Sequence, residues 1–359
     1  MQVLACLKWL CEFQIVALIP LTQEVAYTDL SDLTGVSATQ IQRIVRITAT
    51  VGFLCEPQAH YVAHTTLSRE FIRRPSFLDA LMFISDTMVP TAMCMAEATR
   101  QEAHPQHIDV SPYQIAMKSS SSLAAACESD AKLQRRVSAF QRLAARSRAN
   151  AVTHLLSCID WETLGQGTVV EVNAVSTATA KALAARNAAL RFVVQMRDIK
   201  QSDAIFSARQ VSSSEKLIVQ RRAPGDPQNE RSAAVYLLHM PDPFLFASSV
   251  AHTEVCTAEL RIHFDLIRAK GDGNLILIAD VLQDPDTPTA TAEAVAALQD
   301  LLLLQIGHKE AFDMARLMEL LECMHLDPTR LTIINQLSSP DYPILMFKLR
   351  VDSLSASEL

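Results

Sequence analysis

Glycine is scarce in this sequence, with 8 residues in 359, about a third of the roughly 7% usual in globular proteins. Few glycine-dependent turns are therefore available, which points to a helix-rich fold. Cysteine is present without pattern: the eight residues are scattered and form no CxxC pair. Neither a disulfide framework nor a zinc site is indicated, and a reducing compartment, nucleus and cytoplasm, is expected. Basic charge is also in deficit. A formal net charge of −7 argues against a protein that grips nucleic acid by itself, because counterion release needs a concentrated basic face. Long uninterrupted apolar runs are missing as well. The opening VLACLKWLCEFQIVALIPL is broken by Lys8 and Glu12 and has no small-residue cleavage site, so it reads as an amphipathic helix rather than a signal peptide or membrane span. Because the sequence opens inside that helix, a longer natural N-terminus is expected.

What is there is ample core. A 49% share of hydrophobic residues beside 20% charged is that of an ordinary globular protein, and the length suggests two domains. The organising stretch runs from Thr168 to Asp198: a β-branched run at Thr168 to Val172, an alanine-rich helical stretch to about Arg186, and a second apolar run at Leu190 to Val194. Such a strand, helix, strand unit usually carries a nucleotide or adenosyl cofactor at its first turn, where glycines let backbone N–H groups approach the ligand. Here that turn reads Asn173-Ala174-Val175-Ser176-Thr177 and has no glycine. The position of a ribose-gripping acid holds Met196, with Asp198 two residues late. The frame is that of a nucleotide-binding domain whose binding chemistry has been removed.

Taken in order, the first 75 residues read as a winged-helix unit. Helices are expected at Val3 to Val16, Thr28 to Leu33 and Ile41 to Thr50, the last opened by a Ser37/Gln40 capping box and stopped by Gly52, with wing strands at Phe53 to Pro57 and Tyr61 to His64. Arg43 and Arg46 on the third helix read as a solvated edge rather than a DNA-reading face. From Ser76 to Glu102 comes an apolar, methionine-rich helical stretch that Pro90 should break or kink. A loop-rich crossing follows to Ser122, then a long helix from Ala124 to Ile159 whose Lys132, Arg135, Arg136, Arg142, Arg146 and Arg148 read as a solvated face. Strand-like runs at Lys216 to Gln220, Ala234 to Leu238, Asn274 to Asp280 and Tyr342 to Arg350 alternate with helices at Phe244 to Ala269, Thr291 to Gln305 and Ala311 to Met324. The alternation argues for a doubly wound α/β sheet.

This order resembles the two-domain O-methyltransferases dependent on S-adenosylmethionine, with VVEV, LRFVVQ, AAVYLLHM and GNLILIADVLQDP similar to their successive strands. The resemblance implies a mainly α fold with α/β: a winged-helix dimerisation domain over 1–104, a loop and connector helix over 105–159, and a Rossmann-like class I methyltransferase domain over 160–359. It also implies a degenerate cofactor motif, comprising Glu171, Asn173, Ala174, Val175, Thr177 and Met196, and a turn at Arg222-Ala223-Pro224-Gly225 where the family places an acid near adenine. The family's catalytic base is the second histidine of a pattern like LxHxxHDW. LLHMPDPF supplies His239 at the first histidine and Asp242 at the second. Within the superfamily, LKWLCEFQIVALIPL, RIVRITATVGFLCEP, FIRRPSFLDALMFISDT and QRRAPGDPQ look like a narrower group, the methyltransferase-like co-activators of fungal polyketide clusters of the aflatoxin-pathway type.

That resemblance implies a non-catalytic transcriptional co-activator. It would bind a binuclear-zinc-cluster transcription factor, reach DNA only through that partner, act as a homodimer away from membranes, and need no S-adenosylmethionine or other cofactor. The alternatives are an enzyme of polyketide biosynthesis on the same fold: a repurposed cyclase or pericyclase using His239, Asp242, Lys309 and Glu310, or an active methyltransferase. The pairs His60/His64, His104/His107 and His252/Glu254 have spacings open to a metal but lack further ligands nearby, and read as ordinary histidines.

Overall fold

The computed structural model describes residues 1–103, 110–197, 216–271, 274–282, 290–326 and 329–353; Asp198, His104 and His107 lie outside them. The chain divides into two compact units, Met1–Ala144 and Ala145–Leu359, so that the helix Ala131–Ser157 runs across the division.

The first unit is helical around a small antiparallel sheet. Its apolar opening forms two helices, Gln2–Glu12 and Ile15–Leu18, separated by Gln14 in the left-handed region at φ 56°. Helices Tyr27–Thr34 and Ala38–Ala49 follow, the second capped by Ser37, whose Oγ accepts from the Gln40 amide at 3.3 Å. Gly52, at φ 72°, turns the chain out of that helix. Strands β1 (Val25–Ala26), β2 (Leu54–Cys55) and β3 (Tyr61–His64) pair antiparallel in the order β1-β3-β2. Leu10, Leu30, Ile41, Val45, Phe53 and Val62 close the core between them. Arg46 is tied down: Glu56 accepts from its Nε at 3.0 Å and from the Tyr27 hydroxyl at 2.8 Å.

Pro90 does not break its helix. The chain relaxes into a π turn at Ile84–Met88 immediately before it, then resumes as Val89–Met93, and the 41° bend falls at Cys94. Proline lacks an amide hydrogen and crowds the carbonyl four residues back, and the widened turn absorbs both effects. No single helix among the described residues is long and apolar enough to cross a membrane. The basic face expected on the long helix is corrected in part: Lys132, Arg135 and Arg146 are exposed, whereas Arg136 and Arg148 turn inward. Arg135 and Arg136 pair with Asp79 and Asp86 at 3.0 and 2.9 Å, and the side chains of Arg136 and Arg148 are each only 16% exposed.

The second unit is built on an eight-stranded sheet: β4 (Thr168–Val172), β5 (Arg191–Met196), β6 (Leu217–Arg221), β7 (Val235–His239), β8 (Asn274–Asp280), β9 (His325–Leu326), β10 (Thr329–Ser338) and β11 (Ile344–Ser353). The order is β6-β5-β4-β7-β8-β11-β10-β9, with β4 to β8 parallel and β11 antiparallel to both neighbours. Near-continuous burial of β4, β5, β7 and β8 is what a parallel sheet covered on both faces requires. Leu260, Phe264 and Leu317 cover one face of it and Leu156, Ala180 and Leu183 the other. Because β5 and β7 flank β4 on opposite sides, the connections leave it in opposite directions, and the crevice at its carboxyl end is where doubly wound sheets place their ligands.

Candidate functional site

The carboxyl ends of β4, β7 and β8 and the helix Ala131–Ser157 bring four charged or titratable side chains together. Glu171 and His239 are 1% and 5% exposed, and Glu171 Oε1 lies 3.0 Å from His239 Nε2. On the other side of the ring, Arg148 Nη1 lies 3.1 Å from His239 Nδ1, and Arg148 Nε lies 2.9 and 2.8 Å from the two Asp280 oxygens. A guanidinium can only donate. Nδ1 must therefore accept, so the ring is neutral with its proton on Nε2, donated to Glu171. Both ring nitrogens of His239 are thus committed inside the protein.

Asn173 closes the same corner. It sits at φ 57°, a conformation asparagine tolerates better than most side chains, and its Nδ2 donates to the His239 carbonyl at 3.1 Å. The next amide, Ala174, donates to the Gln195 carbonyl at 2.9 Å. Ala174 and Met196 are buried, at 6% and 5% exposure, whereas Val175 is exposed and Thr177 half-buried ahead of the helix Ala178–Arg186. The turn that would cradle a ligand's backbone-binding group therefore spends one amide on the sheet and presents Cβ atoms at its rim.

Asp242 lies just beyond the end of β7. Its Oδ1 accepts from the Phe244 amide at 3.0 Å, capping the turn Pro243–Leu245, and its carboxylate is exposed. Tyr342 stands close enough to Asp280, Arg148 and Asp242 to feel all three; burial, the larger cause, and Asp280 push its hydroxyl up to about 12. Glu310 and Lys309 are exposed, and the Glu310 amide lies 3.4 Å from Ser249 Oγ. His252 turns inward, its Nε2 2.9 Å from the Pro241 carbonyl, while Glu254 faces solvent. His64 is likewise buried, between Ser68 Oγ and the Ile19 carbonyl at 2.8 and 3.1 Å, and His60 is exposed. Among the described residues no cluster of three histidine, cysteine or acidic side chains is placed to hold a metal.

A second buried polar group lies beyond β6. Arg222 turns its guanidinium inward to Glu259, with Nη1 2.8 Å from Oε1, and the Gly225 amide donates to the same oxygen at 2.6 Å. Gln195 and Gln228 exchange hydrogen bonds at 2.7 and 2.8 Å, and Gln228 reaches His263 at 3.3 Å. Burial pushes His263 down to about 4 and raises the Glu259 carboxyl. Sequence reasoning had met Arg222 only as part of a turn, had read Arg148 as solvated, and had not singled out Asp280, Gln195 or Glu259. The side-chain partners Gln228, Glu259 and Asp280 of Gln195, Arg222 and Arg148 stand 33, 37 and 132 residues away, a separation no local pattern encodes.

No protein-family model matches the chain. Curated relatives match nearly all of it. The dothistromin biosynthesis regulatory protein of Dothistroma septosporum is 35% identical, covering 97% of this chain and 81% of that protein. The monodictyphenone cluster transcriptional coactivator of Emericella nidulans is 32% identical, covering 97% and 82%, and the aflatoxin cluster transcriptional coactivator of Aspergillus flavus is 31% identical, covering 98% and 83%. Among solved structures, OxaC in complex with sinefungin and meleagrin superposes with a TM-score of 0.66 at 17% identity over 98% of this chain and 86% of its own. The mitomycin 7-O-methyltransferase MmcR gives 0.66 at 16% identity over 98% and 94%. At these identities the likeness is one of fold, a helical N-terminal domain followed by a Rossmann-like class I methyltransferase domain.

Proposed function

We propose, for a chain that belongs to the family of transcriptional coactivators of fungal polyketide gene clusters, that it promotes transcription of such a cluster by contact and not by catalysis. In this reading it binds a binuclear-zinc-cluster transcription factor in the nucleus, meets DNA only through that partner, and pairs with a second copy through a winged helix in its N-terminal unit. The observation that carries the non-catalytic half is the double commitment of His239. A general base needs a nitrogen within reach of the proton it takes, and both of its nitrogens are bonded to Glu171 and Arg148. Asp242 is bonded into a turn cap.

The residues at the crevice do not fit S-adenosylmethionine. Met196 offers the ribose position a thioether, a weak acceptor, in place of a carboxylate. Ala174 gives its amide to Gln195, and Arg222 at the adenine turn is ion-paired inward. Losing two charge-assisted bonds to ribose hydroxyls weakens binding by roughly 1.5–3 kcal/mol each.

The test has two arms. Isothermal titration of the purified chain with S-adenosylmethionine is expected to give no saturable heat; a dissociation constant in the low micromolar range revives a methyltransferase. In a strain lacking this gene, complementation with Asp242→Ala should restore both cluster transcripts and the metabolite to the wild-type level. An enzyme using Asp242 would instead lose roughly 10²–10⁴-fold in rate, and the metabolite would vanish while transcripts persisted.

A further inference from the structure

The helix Ala290–Ile306 carries two apolar faces and buries one. Ala292, Ala296 and Ile306 face the domain, and Gln299 Nε2 bonds the Tyr342 hydroxyl at 3.2 Å on that side. On the opposite face Leu298, Leu301 and Leu304 are 57%, 39% and 46% exposed, beside exposed Ala294 and Ala297. An exposed leucine face on a helix that already buries another is what a core or an interface covers, and among the described residues nothing covers this one.

The spacing identifies what kind. Ala294, Ala297, Leu301 and Leu304 follow steps of three, four and three, the a and d positions of a heptad, with Leu298 at e. That 3.5-residue repeat is the narrow seam that another helix packs against, as distinct from the broader stripe a helix turns toward a globular core. In the same register Glu293 and Asp300 both fall at g, the position whose charges select the partner. Glu293 is exposed and Asp300 half-buried, and no lysine or arginine occurs between residues 290 and 306. A second copy in two-fold antiparallel packing would set this acidic line against itself. A helix with basic residues beside its apolar stripe meets it with opposite charge.

We infer that the exposed seam of helix Ala290–Ile306 docks an amphipathic helix of a protein partner, apolar at its own a and d positions and basic at the flanking ones. The inference rests on the contact reading above only in expecting a protein partner, and its test does not use transcription.

The probe is a fluorescently labelled peptide of about three heptads with leucine at a and d and lysine at e and g, compared with a twin carrying glutamate at e and g. Like charges keep each peptide from pairing with itself. Anisotropy titration of the full-length chain should show the lysine peptide binding about tenfold or more tightly than its twin. Leu301→Asp with Leu304→Asp should abolish that binding, and Glu293→Lys with Asp300→Lys should reverse the preference. Glu293, Leu301 and Leu304 are exposed and Asp300 is half-buried, and thermal unfolding is to be run first to check that both variants fold. Equal binding of the two peptides, or binding untouched by the leucine changes, overturns the inference. Self-association of the chain that sedimentation shows lost in the leucine variant also overturns it, in favour of a second copy. A failed complementation with seam binding intact would count against the contact reading alone.

Discussion

Arg148 donates to His239 Nδ1 across 3.1 Å while its Nε holds both oxygens of Asp280, and this one guanidinium decides the chemistry of the crevice. It occupies the ring nitrogen that a substrate proton would otherwise seek. It also compensates Asp280, whose side chain is 29% exposed. Arg148→Met should therefore destabilise the chain by about 1–3 kcal/mol, less than breaking a fully buried pair costs because both side chains keep some exposure, read as a shift in the urea midpoint. The same variant should lose the fixed imidazole tautomer. Long-range ¹H–¹⁵N spectra of the wild type are expected to show the His239 proton on Nε2 alone, and a mixture of tautomers in the wild type would contradict the arrangement.

Stability should fall on mild acidification. Burial holds His252 and His263 down to about 4, below the ordinary histidine value of about 6.5. In the unfolded chain both take up protons first, so their contribution is complete above about 6.5 and is lost as pH falls toward 4. Each is worth on the order of 3 kcal/mol over that window. Glu259 acts in the opposite sense, because burial raises its carboxyl and its protonation favours the folded state as pH falls. The net expectation is a urea midpoint that drops between pH 7 and pH 4.5, with a shallower drop in His252→Gln. A midpoint flat across that range in the wild type would count against both histidines being buried and neutral.

Much of the second unit was legible because parallel strands buried on both faces are written as apolar runs. Thr168–Val172 and Asn274–Asp280 have the bounds their β-branched content suggests. The strand Thr329–Ser338 was not read, because beside the two-residue edge strand β9 it is mostly exposed, and its residues alternate too weakly to signal two faces. Its Thr332, Ile333 and Ile334 were the available clue. The crevice was half legible. The missing glycines at Asn173 and Ala174 and the methionine at 196 were plain, and they foretold an altered turn. What fills the space was not, since Arg148 stands 91 residues from His239 and 132 from Asp280, and an arginine on a long basic helix looks the same in sequence whether it meets water or a carboxylate.

The methionines of the first unit show the same limit and give the last expectation. As a sequence, Phe77 to Ala96 offers Met88 and Met93 as equal members of one adaptable surface. Five residues apart, the two stand about 140° round an α-helix and end on different faces: Met88 is 5% exposed and Met93 is 69% exposed. A carboxylate placed at 88 must be desolvated with no cation built to receive it, so Met88→Glu should cost about 3 kcal/mol or more and leave the chain poorly folded. Met93→Glu replaces a solvent-facing side chain and should change stability by no more than about 0.5 kcal/mol. Thermal unfolding of the two variants side by side checks this. Complementation then becomes informative for Met93→Glu alone: lost transcripts from a variant as stable as the wild type would place a partner on the outer face of this helix. Wild-type transcripts from it would leave residue 93 outside any contact that activation needs.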